Sequence, residues 1–265
     1  MPQFKGHVSH RASIRWLPDP ASEPTSTLVL TSSSGWFIDV RILSSRETPP
    51  PSLEVDDDEL LRPSTDETSR TMSMERMDWA FSGSSKSTSG GKNKPRHSEW
   101  THWVDSKTLY HEPPIVDAGD MYPVSKTRDL EKGSMPNPAT GIDTEYEEVW
   151  DDMPIDVPEK SATCSTFLTE DEEKEMKGCI VKLGSWCQGV LRVGKEISAE
   201  RWKFLVEEKS WVLVARVGEK SIGCEIAFGD DKSLEVGETI EAEGREWTVK
   251  EVDWSIKSRE LEESN

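Results

Sequence analysis

The stretch Leu183 to Val193, LGSWCQGVLRV, places a tryptophan, a cysteine and a glutamine between two glycines. Its interpretation decides the fold of this chain. A cysteine beside polar groups can be a reactive nucleophile or a small apolar residue of a β-strand. The five histidines all lie between His7 and His111, so none is near Cys187 in sequence to accept the thiol proton. We therefore interpret Cys187 as a packing residue of a strand, and we predict no catalytic residues.

Alternating apolar and polar residues continue through the second half of the chain. The runs VLVARVG (Val212–Gly218), SIGCEIAFG (Ser221–Gly229) and ETIEAEG (Glu238–Gly244) each end in a glycine. This pattern is typical of antiparallel strands joined by tight turns. About seven or eight such strands in roughly 90 residues predict a closed or nearly closed barrel of antiparallel strands.

Two of these runs carry more specific expectations. In SIGCEIAFG, Cys224 and Ile226 alternate with polar or small residues, which predicts a strand whose Cys224 faces a core. The run ISAERWKFLVEE (197–208) fits a short helix, and the alternation of Trp202 and Phe204 fits a strand equally well.

An internal repeat organises the tryptophans. SGWFIDVRI (Ser34–Ile42) resembles GSWCQGVLRV (Gly184–Val193) if one extra residue is allowed in the second copy. Gly189 suits that extra residue, because a glycine inside a strand often marks a bulge. In this alignment Cys187 corresponds to Phe37, which supports a packing role for the cysteine.

Two further pairs of similar motifs extend the repeat. Trp-x-Phe occurs at Trp79 and at Trp202, and Trp186 and Trp202 are 16 residues apart. Trp36 and Trp79 are 43 residues apart, and they reach the same spacing once the 27 residues 47–73 are set aside. EEVWD (147–151) and KEVDW (250–254) close the two halves. We therefore predict two β-barrels related by internal duplication.

Composition changes sharply inside the first half. The segment from Ser44 to Ser73 combines a triple proline, an acidic run and many hydroxyl residues, and it predicts a disordered insertion. A second stretch, 84–96, has the Gly, Ser and Lys content of a mobile loop. Proline and acidic residues after Met153 indicate a connection, so we predict domains at 1–153 and 154–265.

Charge and cysteine usage limit the possible partners and compartments. The chain has 265 residues and a formal net charge of -19, which disfavours nucleic acid and anionic lipid surfaces. No run approaches the roughly 18 apolar residues of a membrane span. Four cysteines fit no common zinc or redox motif and are expected to be reduced thiols: Cys164, Cys179, Cys187 and Cys224.

Five motifs in a fixed order resemble one known family. They are DWAFSG (78–83), WVDS (103–106), DAGDMYP (117–123), EEVW (147–150) and LGSWCQG (183–189), within a match from about Thr27 to Trp254. The chain is similar to fungal proteins that interact with a casein kinase I. The resemblance implies two tandem lipocalin-like β-barrels, no established enzymatic activity, a casein kinase I partner, and residence in the cytoplasm and nucleus.

The acidic insertion departs from the pattern of that family, and it holds candidate phosphate acceptors. Asp66 stands three residues before Ser69, a context that suits casein kinase I. Glu67 stands three residues after Ser64, a context that suits the acidophilic casein kinase II. An accessible hydroxyl in a disordered segment can enter a kinase cleft without unfolding the fold.

Two functions from different classes remain open. One is a non-catalytic interaction protein, which presents barrel loops to a partner. The other is a barrel that binds a small hydrophobic ligand or haem in an apolar interior lined by Trp and Ile side chains. His102 in WTHWVD could face inward as a ligand or lie outward. HVSH (7–10) is only a weak metal motif. We expect no metal and no cofactor. The candidate interior residues are Trp36, Trp79, His102, Trp186 and Trp202.

Overall fold

The computed structural model describes residues 6–44, 70–91, 94–158, 161–229 and 233–254, and Ser64 and Ser69 lie outside these ranges. Within them the chain forms β-strands and short 3-10 helices and no α-helix, so the predicted all-β class is confirmed. No helix in the described ranges has the length and hydropathy needed to cross a membrane.

The strands follow one another in chain order. They are β1 (His7–Trp16), β2 (Thr25–Thr31), β3 (Trp36–Leu43), β4 (Thr71–Met72), β5 (Met77–Thr88), β6 (Arg96–Asp105), β7 (Val116–Pro123), β8 (Arg128–Pro136), β9 (Asp143–Met153), β10 (Cys164–Asp171), β11 (Met176–Leu183), β12 (Trp186–Val193), β13 (Glu196–Leu205), β14 (Ser210–Val217), β15 (Thr239–Ala242) and β16 (Arg245–Asp253). Short 3-10 helices cover Met74–Arg76 and Cys224–Ala227.

The first β unit is a closed eight-stranded antiparallel barrel in the order β1-β2-β3-β5-β6-β7-β8-β9. It closes because β1 pairs with β2 on one side, where Val8 faces Leu30, and with β9 on the other, where Arg11 faces Trp150. The register of the β1 and β9 pair shifts between Arg11 and Ser13, and such a bulge bends a strand of a barrel.

The barrel is apolar on part of its outer surface, and its interior carries charged as well as aromatic side chains. Along β3, Phe37, Asp39 and Arg41 line an internal cavity, whereas Ile38 and Val40 on the opposite face are buried against the second β unit. Side chains alternate faces along a strand, so one strand serves both environments. The expected Ile side chains therefore do not line this cavity, whereas two tryptophans, Trp100 and Trp150, do.

The second β unit is an eight-stranded sheet in the order β15-β16-β10-β11-β12-β13-β14-β4. Leu213 of β14 and Trp247 of β16 share one buried apolar cluster although their strands lie near opposite ends of the sheet. The sheet therefore curls around that cluster, which also includes Cys187 and Trp202. Together with the closed barrel, this arrangement fits the predicted fold of two β-barrels.

The topology of both units agrees with the internal duplication. In each unit the first strand pairs with the last, and the strand that begins with Trp36 or Trp186 is the third along the chain. The Trp-x-Phe match is not equivalent in register, however. Trp36 pairs with Ser84, five residues after Trp79, whereas Trp186 pairs with Lys203, the residue after Trp202.

Two local predictions in the second unit are corrected. The pairing of β12 with both neighbours runs through Gly189 without a register shift, so this glycine is not a bulge. A Cβ on Gly189 would lie 2.7 Å from Cys224 Sγ, so the position instead permits close approach of the segment that contains Ile222. The run Ser221–Gly229, predicted as a strand, instead contains a 3-10 helix over Cys224–Ala227. Cys224 is buried as expected.

The structure decides between the helix and strand alternatives for 197–208 and corrects the bounds of two segments predicted as irregular. Glu196–Leu205 is a strand rather than a helix. The segment expected as a mobile loop over 84–96 is shorter, because Ser84 to Thr88 belong to β5 and β6 begins at Arg96. Thr71–Met72, expected within the insertion, form β4 and pair in parallel with β14. The division into domains at 153 stays a prediction.

Candidate ligand-binding cavity

A cavity of about 320 Å³ occupies the interior of the closed barrel. Its mouth includes three exposed residues, Ser87 of β5, Arg96 of β6 and Asp152 of β9, whereas Asp39 and Phe81 in its lining are buried. Eight-stranded barrels have an interior that side chains can fill or that can hold one small ligand. Side chains do not fill the interior of this barrel completely.

Aromatic and acidic side chains dominate the chemistry of the lining. The aromatic residues are Phe37, Phe81, Trp100, Tyr146 and Trp150. The acidic residues are Asp39, Asp117, Asp129, Glu131, Glu148 and Asp152. They come from six of the eight strands, because each strand of a barrel points every second side chain inward.

A buried network of ion pairs includes three residues of the cavity lining, Asp39, Arg41 and Glu148. Arg41 Nη2 donates to Asp39 Oδ2 at 2.7 Å, and Arg41 Nη1 lies 3.6 Å from Glu148 Oε1. Arg11 Nη1 donates to the same Glu148 oxygen at 2.6 Å, and Arg11 Nε donates to Glu23 at 2.8 Å. Burial alone lowers the pKa of Arg41, but Asp39 and Glu148 outweigh it and raise the pKa. The guanidinium groups are thus held charged inside the barrel.

Glu131 of β8 has the most perturbed carboxyl group of the lining. Burial, followed by the charge of Glu148, raises its pKa to about 8. Tyr146 Oη donates to Glu131 Oε1 at 2.8 Å, and Trp150 Nε1 donates to Oε2 at 3.0 Å. Glu131 therefore keeps its proton to a higher pH than an exposed glutamate does, and it fixes two aromatic side chains of the cavity.

His102 of β6 lies inside the barrel beside the cavity and does not line it. Its Nδ1 is 2.5 Å from Asp105 Oδ2, and its Nε2 is 3.2 Å from Asp117 Oδ2. The ring stacks on Phe81 with centroids 4.1 Å apart. Burial lowers the pKa of His102, but the two aspartates outweigh it, so the pKa is raised above 6.5. Both ring nitrogens face carboxylates, which leaves neither placed to ligate a haem iron.

The four candidate tryptophans lie outside the cavity lining. Trp79 is inside the barrel, where its Nε1 donates to Asp105 Oδ1 at 2.9 Å. Trp36 and Trp186 pack in the core between the two β units. Trp202 belongs to the core of the second unit, and its Nε1 donates to Glu200 at 2.8 Å.

The residues that do line the cavity were missed because the inward face was assigned to the wrong half of the pattern. WFIDVRI alternates strictly, with Phe37, Asp39 and Arg41 on one face and Ile38 and Val40 on the other. The apolar face of such a strand normally turns to the interior. The charged residues at alternate positions, Asp39 and Arg41 in β3 and Glu148 and Asp152 in β9, were the available signal for a charged interior.

The surroundings of the cysteines favour packing over reactivity. All four are free thiols and all four are buried, as expected for reduced packing residues. Burial raises the pKa of Cys179 to about 12 and raises the pKa of Cys164 and Cys224 as well. A thiol with a raised pKa carries little of the thiolate that acts as a nucleophile.

Comparisons with known proteins agree with this architecture. None of the curated proteins compared with the chain matches it. The crystal structure of an uncharacterized protein from Saccharomyces cerevisiae, YLR301w, superposes with a TM-score of 0.63 at 18% sequence identity. The match covers 93% of this chain and 98% of that one, and it shows a shared fold. The family described as Protein HRI1 matches residues 7–251, and the chain belongs to that family.

Proposed function

We propose that the closed barrel binds a small organic molecule in its interior and that the chain acts without catalysing a reaction. The observation that carries this proposal is the cavity of about 320 Å³, which reaches the surface at Ser87, Arg96 and Asp152. Ligand pockets in proteins range from about 300 to 1,000 Å³ and combine aromatic surfaces with a few placed polar groups.

The contacts of Glu131 support binding rather than catalysis. A carboxyl group with a strongly raised pKa in a cleft is a candidate general acid or base. Both Glu131 oxygens accept hydrogen bonds from the barrel itself, from Tyr146 and from Trp150. The group therefore serves to orient the aromatic side chains that a ligand would meet.

Native mass spectrometry of the protein purified from its natural source tests this proposal. We expect a stoichiometric adduct of one small molecule, released on denaturation, because a preformed cavity retains its ligand during gentle purification. A spectrum that contains only the mass of the bare chain would contradict the proposal.

An interaction with casein kinase I, implied by the family resemblance, stays a prediction. Residues 45–69, which hold Ser64, Asp66 and Ser69, lie outside the described residues. We expect purified casein kinase I to label the chain chiefly at Ser69, and Asp66→Ala to reduce the labelling. Label found only after Cys164, mapped by phosphopeptide analysis, would exclude this site. Residence in the cytoplasm and nucleus likewise stays a prediction, which fluorescence microscopy of the tagged chain would test.

A further inference from the structure

We infer that the ligand of the barrel is an organic cation, an amine or ammonium compound with an apolar part. This inference rests on the proposed function and adds the chemical class of the ligand. It draws on three features of the lining: its charge balance, an unpaired carboxylate oxygen, and its aromatic surfaces.

The lining carries six carboxyl groups against two guanidinium groups and His7. Both guanidinium groups already have carboxylate partners. Arg41 binds Asp39 at 2.7 Å, and Arg96 Nη2 lies 2.8 Å from Asp129 Oδ2 at the mouth. Even with Glu131 protonated, the cavity has a net negative charge. A cation entering this cavity lowers its electrostatic energy, whereas an anion must first displace an existing partner of Arg41 or Arg96.

Asp39 supplies the second and independent observation. The residue is only 3% exposed, and it stands in the lining. Its Oδ2 accepts hydrogen bonds from both Nε and Nη2 of Arg41, at 2.9 and 2.7 Å. Its Oδ1 has no hydrogen-bond partner among the described residues. A buried carboxylate oxygen that lacks a donor costs free energy, and an N–H of a bound ammonium group would satisfy it.

The aromatic residues suit the rest of such a ligand. The side chains of Phe37, Phe81, Trp100, Tyr146 and Trp150 line the cavity. Aromatic faces attract cations and also bury the carbon atoms of a ligand. The barrel already uses this interaction, because the Arg41 guanidinium carbon lies 5.2 Å from the ring centre of Trp79 and 5.3 Å from that of Phe81.

The other ligand classes fit less well. A hard metal ion requires several oxygen or nitrogen ligands converging on one point, and the described residues contain no group of three or more such side chains arranged to hold a metal. A purely apolar ligand would leave the Asp39 oxygen without a donor and would desolvate several charged side chains.

Three probes of matched shape and different charge test this inference: benzylammonium, benzyl alcohol and benzoate. We expect isothermal titration calorimetry at low salt to give at least tenfold tighter binding for benzylammonium than for either of the others. Asp39→Asn should weaken benzylammonium binding about tenfold, whereas the control Asp143→Asn, an exposed residue outside the lining, should leave it unchanged.

The failure of this inference is distinguishable from failure of the proposed function. Tighter binding of benzoate, or equal binding of benzyl alcohol, would overturn the inference that the ligand is a cation. The proposal that the barrel binds a ligand would still stand. If Asp39→Asn unfolds, the comparison of the three probes on the wild-type chain decides the matter. If no probe binds, tandem mass spectrometry of the native adduct decides: an amine supports the inference, and a neutral or acidic compound overturns it. No binding and no adduct would contradict both proposals.

Discussion

Gln188 of β12 donates its side-chain amide to the backbone carbonyl of Leu28 in β2, at 2.9 Å, across 160 positions of sequence. The same amide nitrogen lies 3.3 Å from the carbonyl of Ile38, and its oxygen accepts from Arg201 Nε at 3.0 Å. Arg201 in turn donates to the carbonyl of Val40 at 2.8 Å. The glutamine of the LGSWCQGVLRV stretch therefore fastens the second β unit to the outside of the first.

Gln188→Leu tests this interface. The change leaves the carbonyl of Leu28 and the Nε of Arg201 buried without their partner, which should lower the free energy of unfolding by about 1–3 kcal/mol. Urea denaturation measures the loss. The control Lys195→Leu, on an exposed residue, should change stability by no more than about 0.5 kcal/mol. Equal small effects for both variants would show that the interface does not depend on Gln188.

Trp186→Ala should be severely destabilising, by about 3–5 kcal/mol, because the ring is buried in the core between the two β units. Trp36 packs against the same core and is half-buried, so Trp36→Ala should cost less. Cys187→Ser should also cost less and should leave any native adduct in place. Thermal unfolding of the three variants ranks them, and a Cys187→Ser variant that loses a measurable turnover would refute the packing role.

Gly189→Ala should destabilise the second unit by about 1–3 kcal/mol through overpacking. The added methyl group would lie 2.7 Å from Cys224 Sγ and 2.9 Å from Ile222 Cγ2. Gly229→Ala is the matched control, because a Cβ there would meet nothing within 4 Å. Equal melting temperatures for the two variants would show that the 3-10 segment moves aside at no cost.

Glu131→Gln should change the pH dependence of stability. The folded chain holds the Glu131 proton up to about pH 8, whereas the unfolded chain loses it above about 4.5. Between these values the folded state binds more protons, so the wild-type side chain costs stability that grows with pH and levels off above about 8.

The neutral glutamine avoids this cost, and Tyr146 can accept from its amide. We expect the stability of Glu131→Gln relative to wild type to increase by up to a few kcal/mol between about pH 5 and pH 9. Urea denaturation at about pH 5, 7 and 9 measures the difference. A difference that does not vary with pH would contradict the raised pKa.

Several features of the fold follow from the sequence alone. The alternation in β12 and β14 predicted antiparallel strands, and the Trp36 and Trp186 echo predicted two units of the same topology. Which face of each strand points into the barrel did not follow from the sequence. Alternation gives two faces without stating which one is inside, and here a second unit covers the outer face of β3, so Ile38 can be buried on the outside of the barrel.

The cavity was harder to predict, since its lining comes from strands that are distant in sequence. Asp39 and Glu131 are 92 positions apart, and only the barrel closure brings them to one space. The coincidental spacing of 16 residues also misled the alignment of Trp79 with Trp202, because strand register depends on pairing partners that sequence spacing does not reveal.

The most direct test of the central claim is the occupancy of the barrel in variants that fill or spare its interior. Val29→Trp places a large ring in the cavity lining, and Val116→Trp places the same ring on an exposed residue that is outside the lining and next in sequence to the lining residue Asp117. Native mass spectrometry should find the small-molecule adduct on the wild-type chain and on Val116→Trp, and should find it lost or strongly reduced on Val29→Trp. An adduct retained equally by Val29→Trp, or absent from the wild-type chain, would contradict a ligand inside the barrel.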